Sequence, residues 1–203
     1  MNIVRRLADS SWEIPEDFSE RIAEKQKATS RTPGQVNTLS SFSLENQVNA
    51  EGATWLDKQL VSSDRLPLRG PRFGKVAASA LQRRRDHLIE QGLAEDRGGT
   101  IRYRKNLLNI LRLHELQTVG EKIAKESKST FVQTARGRRF EGVYRKPVHV
   151  ASGKFVLIEK SKEFTLVPWR PVLERRRGKT VAGTIRGASV SFDFSKKRGI
   201  GIG

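Results

Sequence analysis

The chain has 203 residues, a formal net charge of +17 and 36% apolar residues, an apolar share below the roughly 45–50% of globular proteins, so its cores must be modest. A charge of this size calls for a polyanionic partner, nucleic acid ahead of an anionic membrane face. No stretch approaches the ~20 apolar residues of a spanning helix, the first residues lack a secretory leader pattern, and the absence of Cys excludes disulfides, thiolate chemistry and Cys-ligated metals; a cytoplasmic location is the simplest expectation.

The charge is uneven. Residues 1–64 carry 7 Lys+Arg against 10 Asp+Glu, residues 72–112 carry 10 against 4, and residues 136–203 carry 17 against 5. The expected cationic surface therefore belongs to two segments, and the N-terminal third is outside it.

Residues 1–43 read as an extended, linker-like N-terminal segment. Ile3–Leu7 suits a helix end, Trp12–Pro15 is extended because a residue before Pro is pushed out of the helical region, Asp17–Lys27 suits a short helix, and the Ser/Thr/Pro/Gly-rich run after it suits a loop. Residues 44–128 read as a helical, winged-helix-like domain. Ser43 is placed to cap a first helix with Gln47 reaching back, and Leu44, Val48, Trp55, Leu56 and Leu60 follow helical spacing across a weak point at Gly52. Phe73–Gln91 is a long helix with Phe73, Ala77, Ala80, Leu81, Leu88 and Ile89 as its core stripe, stopped by Gly92. Gly98-Gly99 then marks a hairpin, and Asn106–Ser127 is a further helix, interrupted at Gly120.

Residues 129–195 read as a small basic β-domain. FVQTA, RRFEGVYR, PVHVA, GKFVLIEK, EFTLVPWR, TVAGTIR and ASVSFDF are separate short strands whose regular spacing predicts a small antiparallel barrel or sandwich. PVLERRRG adds one helical turn, and residues 196–203 form a flexible tail. The expected fold class is α+β, with a winged-helix-like helical segment followed by this small barrel or sandwich.

No catalytic constellation emerges. His87, His114 and His149 are scattered, so no metal site is expected; no phosphate-binding loop and no nucleophile elbow is present; Tyr103 and Tyr144 read as strand residues. The reading is a non-enzyme without cofactor. Binding residues are clearer. Lys75, Arg83 and Arg85 on the long helix and Arg97, Arg102 and Arg104 on the hairpin are placed for a duplex, and one of Arg83-Arg84-Arg85 must lie near the apolar stripe. In the β segment, Arg139, Arg145, Lys146, Lys154, Arg170, Arg175, Arg176 and Arg177 alternate with aromatics. Most of those aromatics are expected in the core, and Trp169 is the one expected at the surface.

The runs ATWLDKQLV (53–61), LRGPRFGKVAASALQRRRDHLIEQGLAE (68–95) and YRKNLL (103–108), with EGVYRKPVHVASGKFVLIEKSKEFTLVPWRPVLERRRGK (141–179) and VAGTIRGASVSF (181–192), resemble the C-terminal region of the relaxases, the mobilisation nucleases of plasmids and integrative elements. The resemblance covers about residues 45–192. It implies a role in processing transfer-origin DNA during conjugation. In that family an N-terminal domain with a catalytic Tyr and three His does the nicking; these residues do not match it, so no catalytic residue carries over. The expected function is a non-catalytic DNA-binding accessory region of a conjugative relaxase, with DNA, relaxosome or type IV secretion proteins as partners. A protein-interaction or secretion adaptor and an RNA-binding small β-barrel stay open as alternatives.

Overall fold

The computed structural model describes residues 40, 42–68, 73–135, 137–186 and 189–193, together with the backbone at residues 5–6 and 12–13. The chain divides into a unit of residues 1–39 and a unit of residues 40–203. In the first, β1 (Arg5–Arg6) and β2 (Trp12–Glu13) pair antiparallel. The helix end expected at Ile3–Leu7 is thus replaced at Arg5–Arg6 by a strand, and Trp12–Glu13 is extended as expected. The expected helix at Asp17–Lys27 and the tail at 196–203 lie outside the described residues.

In the second unit α1 (Leu44–Val48) and α2 (Trp55–Val61) replace the single helix expected there. Two local caps explain the break. Ser43 Oγ accepts from Asn46 N, and Thr54 with Asp57 forms a full capping box that starts a new helix. Gln47 serves the loop instead of the cap, donating to the Phe42 carbonyl at 2.8 Å. The 18-residue α3 (Phe73–Glu90) follows. Its stripe is buried at Ala77, Ala80 and Leu88, but Phe73 is 53% exposed. Gly92 and the Gly98-Gly99 pair sit at positive φ, ending α3 and closing the hairpin β3 (Ala94–Arg97) and β4 (Thr100–Tyr103).

The 21-residue α4 (Leu107–Ser127) ties the two halves together. Its first turns pack with Leu60, Leu88 and Leu93. Leu116, Val119 and Ile123 lie on the sheet. α4 thus packs with both the helices before it and the sheet after it. Gly120 does not interrupt α4. The helix runs through it, and the position is glycine because a Cβ there would sit 2.4 Å from the Phe131 ring. Gly120→Ala is accordingly expected to cost about 2 kcal/mol by overpacking, despite alanine's better helix propensity; a urea denaturation midpoint equal to or above the parent's would contradict this.

The sheet has the order β10 (Ser189–Asp193), β9 (Thr180–Arg186), β6 (Arg139–Val150), β7 (Gly153–Lys160), β8 (Glu163–Pro168), β5 (Thr130–Phe131). It is mixed instead of wholly antiparallel, since β5 pairs parallel to β8. Among the described residues no ladder closes it into a barrel. The two strands expected on either side of Arg145–Pro147 are one 12-residue strand, β6. Its first part pairs with β9 and its second with β7, across a bulge between Tyr144 and Lys146. Phe155, Leu157, Phe164 and Leu166 face α4, whereas Val156, Ile158 and Val167 face the opposite core with Phe140, Tyr144 and Leu173. Both faces of β7 and β8 are buried, which is why FVLI and FTLV read as continuous apolar runs. A 3-10 turn (Pro171–Leu173) links β8 to β9 and inserts Leu173.

Candidate nucleic-acid interface

One arginine of the Arg83–Arg85 run is structural. Arg84 is fully buried and forms an ion pair with the equally buried Asp57 at 2.8 Å. Its Nε and Nη2 bond the Asp57 carboxylate, Nη1 bonds the Val48 and Ala50 carbonyls, and Nη2 also bonds the Gly52 carbonyl. Every guanidinium donor is used. This arrangement fixes the loop between α1 and α2 and leaves Arg83 and Arg85 at the surface. Arg83 is already engaged by Glu45 in a two-pronged contact at 2.6 and 2.8 Å. That hydrogen bond holds the Glu45 carboxyl below its usual range. Arg85 lies beside Asp86 and donates to Gln82. Lys75 is exposed on the first turn of α3.

On the hairpin, Arg97 pairs with Glu95 at 3.1 Å, Arg102 is exposed, and Arg104 Nε donates to the Gly92 carbonyl at 3.0 Å. Tyr103 stands among them. Burial raises its phenol above the ordinary value, and the nearby Arg85 and Arg65 work against that shift. Arg65 reached this group unannounced. Its sequence context is a turn-rich break, and only the fold carries it to β4.

The second group forms at the bulge of β6. The irregular register there turns the Tyr144 backbone toward residues 178–179, with Tyr144 N donating to the Lys179 carbonyl and Gly178 N to the Tyr144 carbonyl. Arg177 Nε then reaches the Arg145 carbonyl at 3.1 Å across 32 positions of sequence. Arg145 and Lys146 thus meet the turn that carries Arg175, Arg176, Arg177 and Lys179. Arg145 also bonds Glu159 across to β7. Arg139 lies farther along β6, 3.8 Å from Asp193.

The third group is smaller. Lys154 Nζ sits 3.8 Å from the centroid of the half-buried Trp169 ring, and Trp169 N donates to the Lys154 carbonyl, with Arg170 exposed next to them. Trp169 is thus partly exposed, as the sequence reading expects, with Lys154 over its ring. Phe140, Tyr144, Phe155 and Phe164 are all buried, as the sequence reading expects. Among the described residues no group of three His, Asp or Glu is placed to hold a metal ion, and no helix is long and apolar enough to cross a membrane.

The family described as a protein of unknown function, DUF3363, matches residues 1–201. No curated protein and no solved structure matches the chain.

Proposed function

The chain belongs to the DUF3363 family, and we propose that it is a non-catalytic DNA-binding accessory region of a conjugative relaxase. The observation that carries the binding part is the convergence of Arg145, Lys146, Arg175, Arg176, Arg177 and Lys179 around the β6 bulge. Such a corner neutralises successive phosphates without reading bases, so its binding is electrostatic and salt-sensitive. The assignment to conjugation rests on the resemblance of residues 45–192 to relaxase C-terminal regions. Two finer readings of the fold accompany it. We read α1 to α3 with the β3–β4 hairpin as winged-helix-like. We read the sheet as a small barrel left open, with β10 coming back toward β8. The connectivity supports the second reading, because a bent first strand shared between β9 and β7 is the layout of an OB barrel. OB barrels bind oligonucleotides on the face of their second and third strands. Here those strands are β7 and β8, and α4 covers that outer face, so binding falls to the bulge corner.

The test is fluorescence anisotropy with a labelled DNA duplex across a salt series. Reversing Arg175, Arg176 and Arg177 to Glu is expected to weaken binding ~100-fold at moderate salt and to lower the slope of log affinity against log salt by ~3, about one per phosphate contact. Arg177 also holds the Arg145 carbonyl, so the exposed Arg175→Glu alone serves as a milder variant, with a loss of ~5–10-fold and a slope lowered by ~1. Absence of DNA binding by the parent, or indifference to both variants, overturns the proposal.

A further inference from the structure

The bulge corner offers cations over a polar surface, which suits phosphates. A different arrangement lies beside α4. A groove of about 710 Å3 runs between the end of α2, strand β4 and the start of α4. Its rim is cationic, from Arg65, Arg102 and Arg104, while Leu60, Val61 and Tyr103 line its floor. Val61 is 39% exposed, an uncovered apolar surface in the same groove as these arginines. Arg65 spends Nε and one Nη2 donor on the Ser62 and Leu60 carbonyls, and Arg104 spends Nε on the Gly92 carbonyl. Their remaining donors, and all of Arg102's, have no protein acceptor among the described residues. A second groove of about 580 Å3 shares Asn106 and Asn109 with the first and continues along α4 past Arg112 and Gln133 to the sheet. No Asp or Glu lines either groove among the described residues.

We propose that this continuous trough binds single-stranded DNA, the phosphates on the arginine rim and unstacked bases against Tyr103 and the apolar floor. The proposal rests on the nucleic-acid reading above and names a separate site within it. The physical argument is a difference between ligands. A duplex hides the faces of its bases and presents phosphates on a convex surface, so it needs only cations. A single strand exposes those faces and gains from an apolar or aromatic floor, ~1–3 kcal/mol per stacked base. Asn106, Asn109 and Gln133 add amide groups to the lining; Asn109 Oδ1 accepts from Arg112 Nη2 and Gln133 Nε2 donates to the Leu113 carbonyl, which leaves the Asn109 Nδ2 donors and the Gln133 Oε1 acceptor for base edges. An acid-free lining avoids repelling the phosphates.

The experiment uses the full chain and two labelled probes, an oligo-dT of ~15 nucleotides, within the site sizes of such grooves, and a mixed-sequence duplex. Arg65→Glu combined with Arg112→Glu is expected to weaken oligo-dT binding at least 10-fold while duplex binding stays within about twofold, since the duplex is held by Arg175–Arg177. The Arg175–Arg177 reversal is expected to show the opposite preference. In addition, photocrosslinking with an oligo-dT containing 5-iododeoxyuridine is expected to mark the peptide containing Tyr103, and Val61→Glu is expected to reduce that yield. Equal losses for both probes, no effect on oligo-dT, or crosslinks confined to the Arg175–Arg177 turn overturn the single-strand site. Tighter binding of oligo-rU than of oligo-dT overturns the choice of DNA. Duplex binding without any oligo-dT binding sinks this proposal and leaves the duplex reading standing, whereas no binding of either probe sinks both.

Discussion

Replacing Arg84 by Met is expected to destabilise the protein by about 3–5 kcal/mol, the range for removing one partner of a buried ion pair. Both side chains of the pair are completely buried. Removal of the guanidinium leaves the Asp57 carboxylate charged in the interior and strips the Val48, Ala50 and Gly52 carbonyls of their donors. Asp57→Leu is expected to be comparably damaging, because the same carboxylate accepts from Thr54 N and Thr54 Oγ1 at the start of α2. The double variant Arg84→Met/Asp57→Leu is expected to recover part of the loss, since no unpaired charge remains, while staying below the parent because the loop carbonyls and the Thr54 cap are still unsatisfied. Urea denaturation of the three variants measures this. A loss under ~1 kcal/mol in Arg84→Met, or additive losses in the double variant, would show that the pair does not organise the loop. Arg83→Met is the control. Its partner Glu45 is exposed and the contact is screened by water, so its effect is expected to be small beside that of Arg84.

Glu115→Ala is expected to cost about 3 kcal/mol. Glu115 is buried on α4, and its carboxylate accepts from Ala151 N at 2.7 Å and Ser152 N at 2.9 Å, the turn between β6 and β7. Hydrogen bonds to a charged group contribute about 1.5–3 kcal/mol each. The same turn is tied to the α1–α2 loop, because Ser152 Oγ accepts from Ala53 N. Gly52 is required beside it, since a Cβ there would lie 2.0 Å from Glu115 Oε2. Three segments far apart in sequence thus meet at one carboxylate. Glu115→Gln keeps one acceptor oxygen and is expected to lose less. Hydrogen exchange at the Ala151 and Ser152 amides distinguishes a local latch from a general loss of packing: these two are expected to exchange faster in Glu115→Ala than the amides at the centre of β7. Unchanged protection there would refute the latch.

Much of the fold is legible in the residues. The Gly98-Gly99 hairpin, the capping Ser43, the Gly92 stop and the strands β7, β9 and β10 follow from turn chemistry and periodicity, which act over a few residues. The misreadings share one cause, namely that a distant contact overrides a local preference. Gly120 looks like a helix breaker until Phe131 is placed on it. Pro147 looks like a strand boundary, but the bulge at Arg145 carries β6 past it. Phe73 fits the apolar stripe of α3 yet ends largely exposed.

The candidate surface divides in the same way. Composition and charge placement alone determine that two segments are cationic and that the N-terminal third is not, because charge counts need no geometry. They also place the aromatics of β6 to β8 inside, since the chain has few other large apolar residues to build a core. Only the tertiary structure decided which cations are available. It withdrew Arg84 into the interior with Asp57, engaged Arg83 with Glu45, set Lys154 over Trp169, and carried Arg65 to Tyr103 and Arg177 to Arg145. Availability depends on partners brought from tens of residues away, and no local pattern in an arginine-rich run encodes which of its members will meet a buried carboxylate.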